Sequence, residues 1–377
     1  MKNINVPSIL LVVALLLVGC DQGGELVHHQ ADPSSQEAAS ARATAKNNES
    51  GMGTLQERSF MHEGTLRSYL LYVPGAYDGE DDWPLVLNYH GLLTDPSFQI
   101  ELSQMNTVAE AEHFLVAYPQ GLDVSVPTLP TGPGWLVPGG TAEQDDVAFT
   151  EDLIDHIGED FGVDARRIHA TGWSNGSSMS FHLACEIPYQ IASVAGVAAM
   201  MTDAMLETCK YQRPVSTLYI QGTADPIVPF EGRPGLFSSA LATTAFWADQ
   251  FNCSGGSITT DLPDLVVSDN STVALTDYKG CDAGAEVLFY QVNNGGHTWP
   301  GGGTPTAPAP LGPVNRDIDA SAEIWDFFAR NPHPGTVPVC HAPPGNPANA
   351  RTITVSINAL PAHLAHGDTE GPCEDVS

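Results

Sequence analysis

Apolar and polar positions along this chain fall into two rhythms. Short runs, either alternating or continuously apolar, predict strands at 66–77 ("LRSYLLYVPGAY"), 83–93 ("WPLVLNYHGLL") and 114–121 ("FLVAYPQG"). Further short apolar runs predict strands at 167–173, 191–199, 215–222 and 286–292. Between them lie stretches with helical spacing. In "DDVAFTEDLIDHIGEDFG", Val147, Leu153, Ile154, Ile157 and Phe161 recur on one face, with acidic residues early, where they complement the helix dipole. "NGSSMSFHLACEIP" reads as a helix stopped at Pro188, and "DASAEIWDFFARNP" as an amphipathic helix ending at Pro332. Strands alternating with helices predict an α/β domain with a mostly parallel sheet flanked by helices.

The ends of the chain do not share this pattern. Residues 1–19 carry Lys2, then an apolar run from Ile9 to Val18 that is short for a membrane span. The run leads into Leu17-Val18-Gly19-Cys20, which resembles a bacterial lipobox and implies cleavage before Cys20 with lipid attached to its sulfur. Residues 20–55 are poor in large apolar side chains and read as a flexible tether. Residues 56–332 are long enough for one large domain, and 333–377 form a short Pro-containing unit. The chain is therefore expected to be exported and held at a membrane or cell surface by its lipid alone; the alternative is an ordinary secretory signal with an incidental Cys20 and a secreted protein.

Charge and cysteine content narrow the partners. Lys and Arg total 14 against 45 Asp and Glu, a net charge of −31. Phosphate backbones need a cationic surface, so nucleic acid is excluded as an expected partner. Setting Cys20 aside leaves an even set of cysteines in an exported chain, which points to disulfides. Proximity favours Cys185–Cys209, Cys253–Cys281 and Cys340–Cys373 among the possible pairings.

The candidate chemistry starts at Gly172-Trp173-Ser174-Asn175-Gly176, between a predicted strand and a predicted helix. A serine at such a strand–turn–helix elbow is exposed at the end of a sheet, with a helix N-terminus beside it. A serine hydroxyl needs a base, and the base needs an orienting acid, in the downstream order acid then histidine. Asp225 follows the strand in "LYIQGTADPIVPF", and His297 lies in the glycine-rich "NNGGHTWPGG" after another strand. Oxyanion donors are expected from the backbone amides of Asn175 and of Leu92, the latter in "NYHGLL", where His90 is read as bracing the loop. No metal or organic cofactor is expected for this chemistry.

These segments, with "YVPGAYDGEDDWPLVLNYHG", "DDVAFTEDLIDHI", "RIHATGWSNGSSMSFHLA", "QGTADPIVPF" and "GGHTWPGG", resemble the polyhydroxybutyrate depolymerase and feruloyl esterase family of α/β-hydrolases over residues 56–332. The resemblance implies Ser174, Asp225 and His297 as nucleophile, orienting acid and base, and it puts Trp299 beside the site. Trp173 is taken to contact substrate. Trp135, in "GPGWLVPGG", is assigned to the substrate cleft, with packing on the core as an equal reading. Asp145 and Asp146 also match the family, and helix capping is the preferred reading for both. After His90-Gly91 the chain has Leu92-Leu93-Thr94 where members often carry Cys and Gln, a departure that bears on the second oxyanion donor and on acyl specificity. The implied substrate is an ester: first a hydroxyalkanoate polyester or its oligomers, then a feruloyl or acetyl ester of plant polysaccharide. A surface-binding protein on a hydrolase scaffold is the reading from another class.

The last segment resembles a short module found at the ends of exported bacterial proteins, closed by Cys340 and Cys373. His341, His363, His366 and Asp368 could make a metal site there. A disulfide-stapled module with incidental histidines is the preferred reading, so no metal is expected.

Overall fold

The computed structural model describes residues 52–210, 212–343 and 349–373. The targeting segment, Cys20 and nearly all of the expected tether lie outside them. The chain enters as a hairpin of β1 (Thr54–His62) and β2 (Thr65–Val73), so regular structure begins just inside the stretch read as tether. Strand β3 (Trp83–Tyr89) is followed by α1 (Pro96–Ser103), α2 (Met105–Glu112) and β4 (Leu115–Pro119). A small hairpin of β5 (Leu122–Val124) and β6 (Gly132–Gly134) precedes α3 (Asp146–Asp160). Next come β7 (Val163–Trp173), α4 (Asn175–Glu186), β8 (Ser193–Val197), α5 (Asp203–Thr208) and β9 (Ser216–Gly222). Helix α6 (Ala240–Gln250) leads to β10 (Ser257–Asp261), β11 (Thr272–Tyr278), β12 (Val287–Asn293) and α7 (Ala320–Arg330).

The main sheet has ten strands in the order β1-β2-β4-β3-β7-β8-β9-β12-β11-β10. The inner run from β4 to β12 is parallel throughout, and the pairs at both edges are antiparallel. Strand alternation divides the core into two. Leu85, Leu87, Tyr89, Tyr219 and Phe289 face one layer with Phe149 and Leu153 of α3, Phe181 of α4 and Trp247 of α6. Val86, Leu218, Ile220 and Leu288 face the other with Met105 of α2 and with Ile324, Phe327 and Phe328 of α7. Both faces being covered explains why the inner strands read as continuous apolar runs. Helix α3 starts where the carboxylate of Asp145 accepts from the backbone N–H groups of Val147 and Ala148. This is the α/β-hydrolase architecture that the sequence implies.

A second, three-stranded sheet has the order β14-β13-β15, from β13 (Thr336–His341), β14 (Arg351–Ser356) and β15 (Thr369–Glu370), with α8 (Leu360–Ala365) between the last two. Its core is Val337, Val339, Ile357 and Leu360, completed by Tyr189 from the main domain. Disulfides join Cys185 to Cys209, Cys253 to Cys281 and Cys340 to Cys373, the pairs that proximity favours. Among the described residues, no helix is long and apolar enough to cross a membrane.

Candidate active site

Parallel strands all end at one edge of the sheet, and the loops that follow them there are where such folds build sites. Ser174 follows β7, Asp225 follows β9 and His297 follows β12, all at that edge. Leu92 follows β3 at the same edge.

The turn at Ser174 is tight. Its backbone has φ +56° and ψ −123°, a left-handed φ that a non-glycine residue adopts at a cost. The turn is pinned by its N–H donating to the Val197 carbonyl at 2.9 Å. The two flanking glycines are demanded by close approach. A Cβ on Gly176 would sit 2.1 Å from the Tyr89 carbonyl oxygen, and one on Gly172 would sit 2.5 Å from the Gly176 carbonyl carbon.

His297 and Asp225 are buried and directly bonded, with Nδ1 of the imidazole 2.7 Å from Asp225 Oδ2. The carboxylate is held from every side. Its Oδ1 accepts from the Ile227 and Val228 amides, both at 2.8 Å, and its Oδ2 also accepts from Gln221 Nε2 at 3.0 Å. A carboxylate at Nδ1 places the imidazole proton there, leaving a lone pair on Nε2. The ring is braced by Trp173, whose indole centre lies 4.7 Å from it and whose Nε1 donates to the His297 carbonyl at 3.3 Å.

Ser174 and His297 line one cavity of about 280 Å³, with Leu92, Trp173 and Asn175. The rest of its wall is largely apolar, including Val126, Ile227, Leu236 and Phe237. Asn175 opens helix α4, so its backbone N–H has no partner within the helix. Among the described residues neither this N–H nor that of Leu92 donates to a backbone acceptor, whereas the next amide, Leu93, donates to Pro133 at 2.7 Å. His90 braces the Leu92 loop from beneath. Burial lowers its pKa to about 4, and a neutral ring suits its two short contacts: Nδ1 with the Gly91 carbonyl at 2.8 Å, and Nε2 accepting from the Gly121 amide at 2.9 Å.

Three expectations need correction. Trp299 is fully buried in the layer under α7, donating to Ser321 Oγ at 3.1 Å, and is not part of the cavity wall. Trp135 is likewise buried, with Nε1 donating to the His90 carbonyl at 2.8 Å. Its backbone brackets the Asn175 side chain: the Trp135 N–H donates to Asn175 Oδ1 at 2.6 Å and its carbonyl accepts from Nδ2 at 3.1 Å. Both tryptophans therefore support the site without touching its cavity. Asp146 does not cap α3. It is buried, paired with Arg67 at 2.9 Å, and accepts from the Leu136 amide at 2.8 Å.

Gln221 and Arg67 also support the site, and neither is among the residues expected from the sequence. For Gln221 the sequence does carry a signal: a polar residue directly after the apolar run Leu218-Tyr219-Ile220 and before the Asp225 loop. Arg67 carries no such signal, since an arginine in an alternating strand ordinarily faces water.

No protein-family model matches the chain. It is 26% identical over 272 residues to the bifunctional acetylxylan esterase/xylanase XynS20E of Neocallimastix patriciarum, an alignment covering 71% of this chain and 34% of that protein. It is 28% identical over 241 residues to feruloyl esterase B of Piromyces equi, covering 61% of this chain and 42% of that protein. The chain thus spans less than half the length of either relative. Among solved structures, the acetyl xylan esterase from Aspergillus awamori superposes with a TM-score of 0.50 at 16% identity, covering 74% of this chain and 99% of that one. That likeness concerns the fold.

Proposed function

We propose that this chain is a serine carboxylic-ester hydrolase. The observation that carries the reading is the Asp225–His297 pair at 2.7 Å, opening onto the same cavity as a serine on a strained elbow. In this reading Ser174 Oγ attacks the ester carbonyl while Nε2 of His297 takes its proton. Asp225 holds the ring and balances the imidazolium charge. The tetrahedral oxyanion is received by the amides of Asn175 and Leu92, aided by the N-terminus of α4. His297 then gives its proton to the departing alcohol. Water, deprotonated by the same ring, hydrolyses the acyl-enzyme and restores the serine. The chemistry calls on no metal or organic cofactor.

For the substrate, the relatives favour a feruloyl or acetyl ester of plant polysaccharide over the hydroxyalkanoate ester placed first from sequence. An apolar cavity beside Ser174 suits an aryl or short acyl group and leaves the sugar outside. Export and lipid attachment at Cys20 belong to the same reading. Both rest on residues 1–20, and export alone has the further support of three disulfides, which persist in oxidising compartments.

The test is hydrolysis of methyl ferulate, acetylated xylan and 3-hydroxybutyrate oligomers by the full chain and by His297→Ala. Faster release of ferulate or acetate, lost in the variant, supports the reading. Preferential cleavage of the oligomers restores the polyester assignment. No cleavage of any ester overturns the hydrolase and favours a binding protein.

A further inference from the structure

The C-terminal module brings two histidines and one carboxylate to a single point. His341 ends β13, His363 lies on α8 and Asp368 stands just before β15. Their ligand atoms all lie within 4.8 Å of one another. Nδ1 of His341 is 2.9 Å, and Nδ1 of His363 2.7 Å, from the same oxygen, Asp368 Oδ2. The other oxygen is fixed by the Ala342 amide at 3.0 Å. Asp368 is buried, while both rings are about a quarter exposed, at 27% and 26% of their side-chain surface. The two rings stand nearly perpendicular, at 87°, with their centres 6.0 Å apart. His366 is exposed and falls outside the cluster.

We propose that His341, His363 and Asp368 bind a divalent cation of the zinc type. Two imidazole nitrogens and one carboxylate oxygen are a donor set that zinc accepts, and the fourth position would be left to water. Small ring rotations bring each donor to the roughly 2.0–2.2 Å of a zinc bond. The proton that Nδ1 carries in the hydrogen-bonded form moves to Nε2 as the metal takes the lone pair. The carboxylate already gathers the three segments around the point the ion would occupy.

The position says what the ion does. The module packs against Tyr189 and against Ala165, near the start of β7, whereas Ser174 follows the end of that strand. About 30 Å of strand separates the two. The cation is therefore remote from the ester chemistry. It joins β13, α8 and the β15 approach, in a unit whose own core is four apolar side chains and whose other covalent tie is Cys340–Cys373.

The test uses the full chain freed of metal with a chelator and titrated with Zn²⁺ at neutral pH. One equivalent should bind with micromolar or tighter affinity, and His341→Ala and His363→Ala should each weaken it at least tenfold. A second measurement needs no variant. Zn²⁺ should shield His341 and His363 from diethyl pyrocarbonate, mapped by peptide mass, relative to the other histidines. Absence of saturable binding, unchanged affinity in both variants, or equal labelling of His341 and His363 with and without Zn²⁺ would overturn the proposal.

Discussion

The Arg67 guanidinium stands 2.9 Å from Asp146, and neither side chain is more than 1% exposed. The pair is stacked on an aromatic face, with the guanidinium carbon 3.6 Å from the centre of the Phe149 ring. Asp146 in turn accepts from the Leu136 amide, next to the Trp135 backbone that brackets Asn175. A charge pair in the core is thus linked, through the Leu136 amide, to the backbone segment that holds the Asn175 side chain.

Removing one partner leaves the other buried without its counter-charge, and burial already raises the Asp146 pKa. Arg67→Met should lower stability by about 3–5 kcal/mol in denaturant titrations. Replacing both, as Arg67→Met with Asp146→Leu, should cost less than either single change. Equal or additive losses would show that the two do not act as a unit.

The bracket between Trp135 and Asn175 gives a prediction for the oxyanion donors. Asn175→Ala keeps the backbone N–H but leaves the Trp135 amide and carbonyl without their partner, at about 1–3 kcal/mol in stability. The expected kinetic result is a fall in kcat with little change in KM, measured on a soluble ester under saturating substrate. An unchanged kcat would show that the side-chain bracket does not position that amide.

Glu370 predicts a pH dependence. Burial, and then the charge of Glu151, raise its pKa to about 7 from an ordinary 4.5, against an opposing effect of Arg213. The folded chain therefore holds this proton where the unfolded chain has lost it. Its contribution to stability is fully present below about pH 4.5 and is lost as pH rises through about 7. Glu370→Gln should flatten that decline and raise the melting temperature at pH 8, with little effect at pH 4. Parallel melting curves for the two proteins across this range would contradict the assignment.

The parallel half of the sheet was legible because its strands are buried on both faces. Apolar side chains dominate 85–89 and 287–290, and in 168–173 and 216–222 they still outweigh the buried polar residues His169, Thr171, Ser216, Thr217 and Gln221. The edges were not. Strand β10 is exposed along its whole length, so "SITTD" carries no pattern, and α6, "ALATTAFWADQ", buries threonines that read as surface. The positions of Ser174, Asp225 and His297 could be read because each follows a strand in a loop of turn-forming residues. Trp135 and Trp299 could not, because a loop tryptophan looks the same in sequence whether its ring faces substrate or core. Asp146 beside Asp145 misled for a related reason: only the fold reveals that Arg67 lies opposite one and water opposite the other.

The central claim is that Ser174 is a nucleophile activated by His297. Labelling the folded full chain with a fluorophosphonate, followed by peptide mass mapping, tests it directly. One equivalent on Ser174, abolished in Ser174→Ala and strongly slowed in His297→Ala, is the predicted result. A folded chain that takes up no label, or takes it up elsewhere at the same rate in both variants, would contradict it.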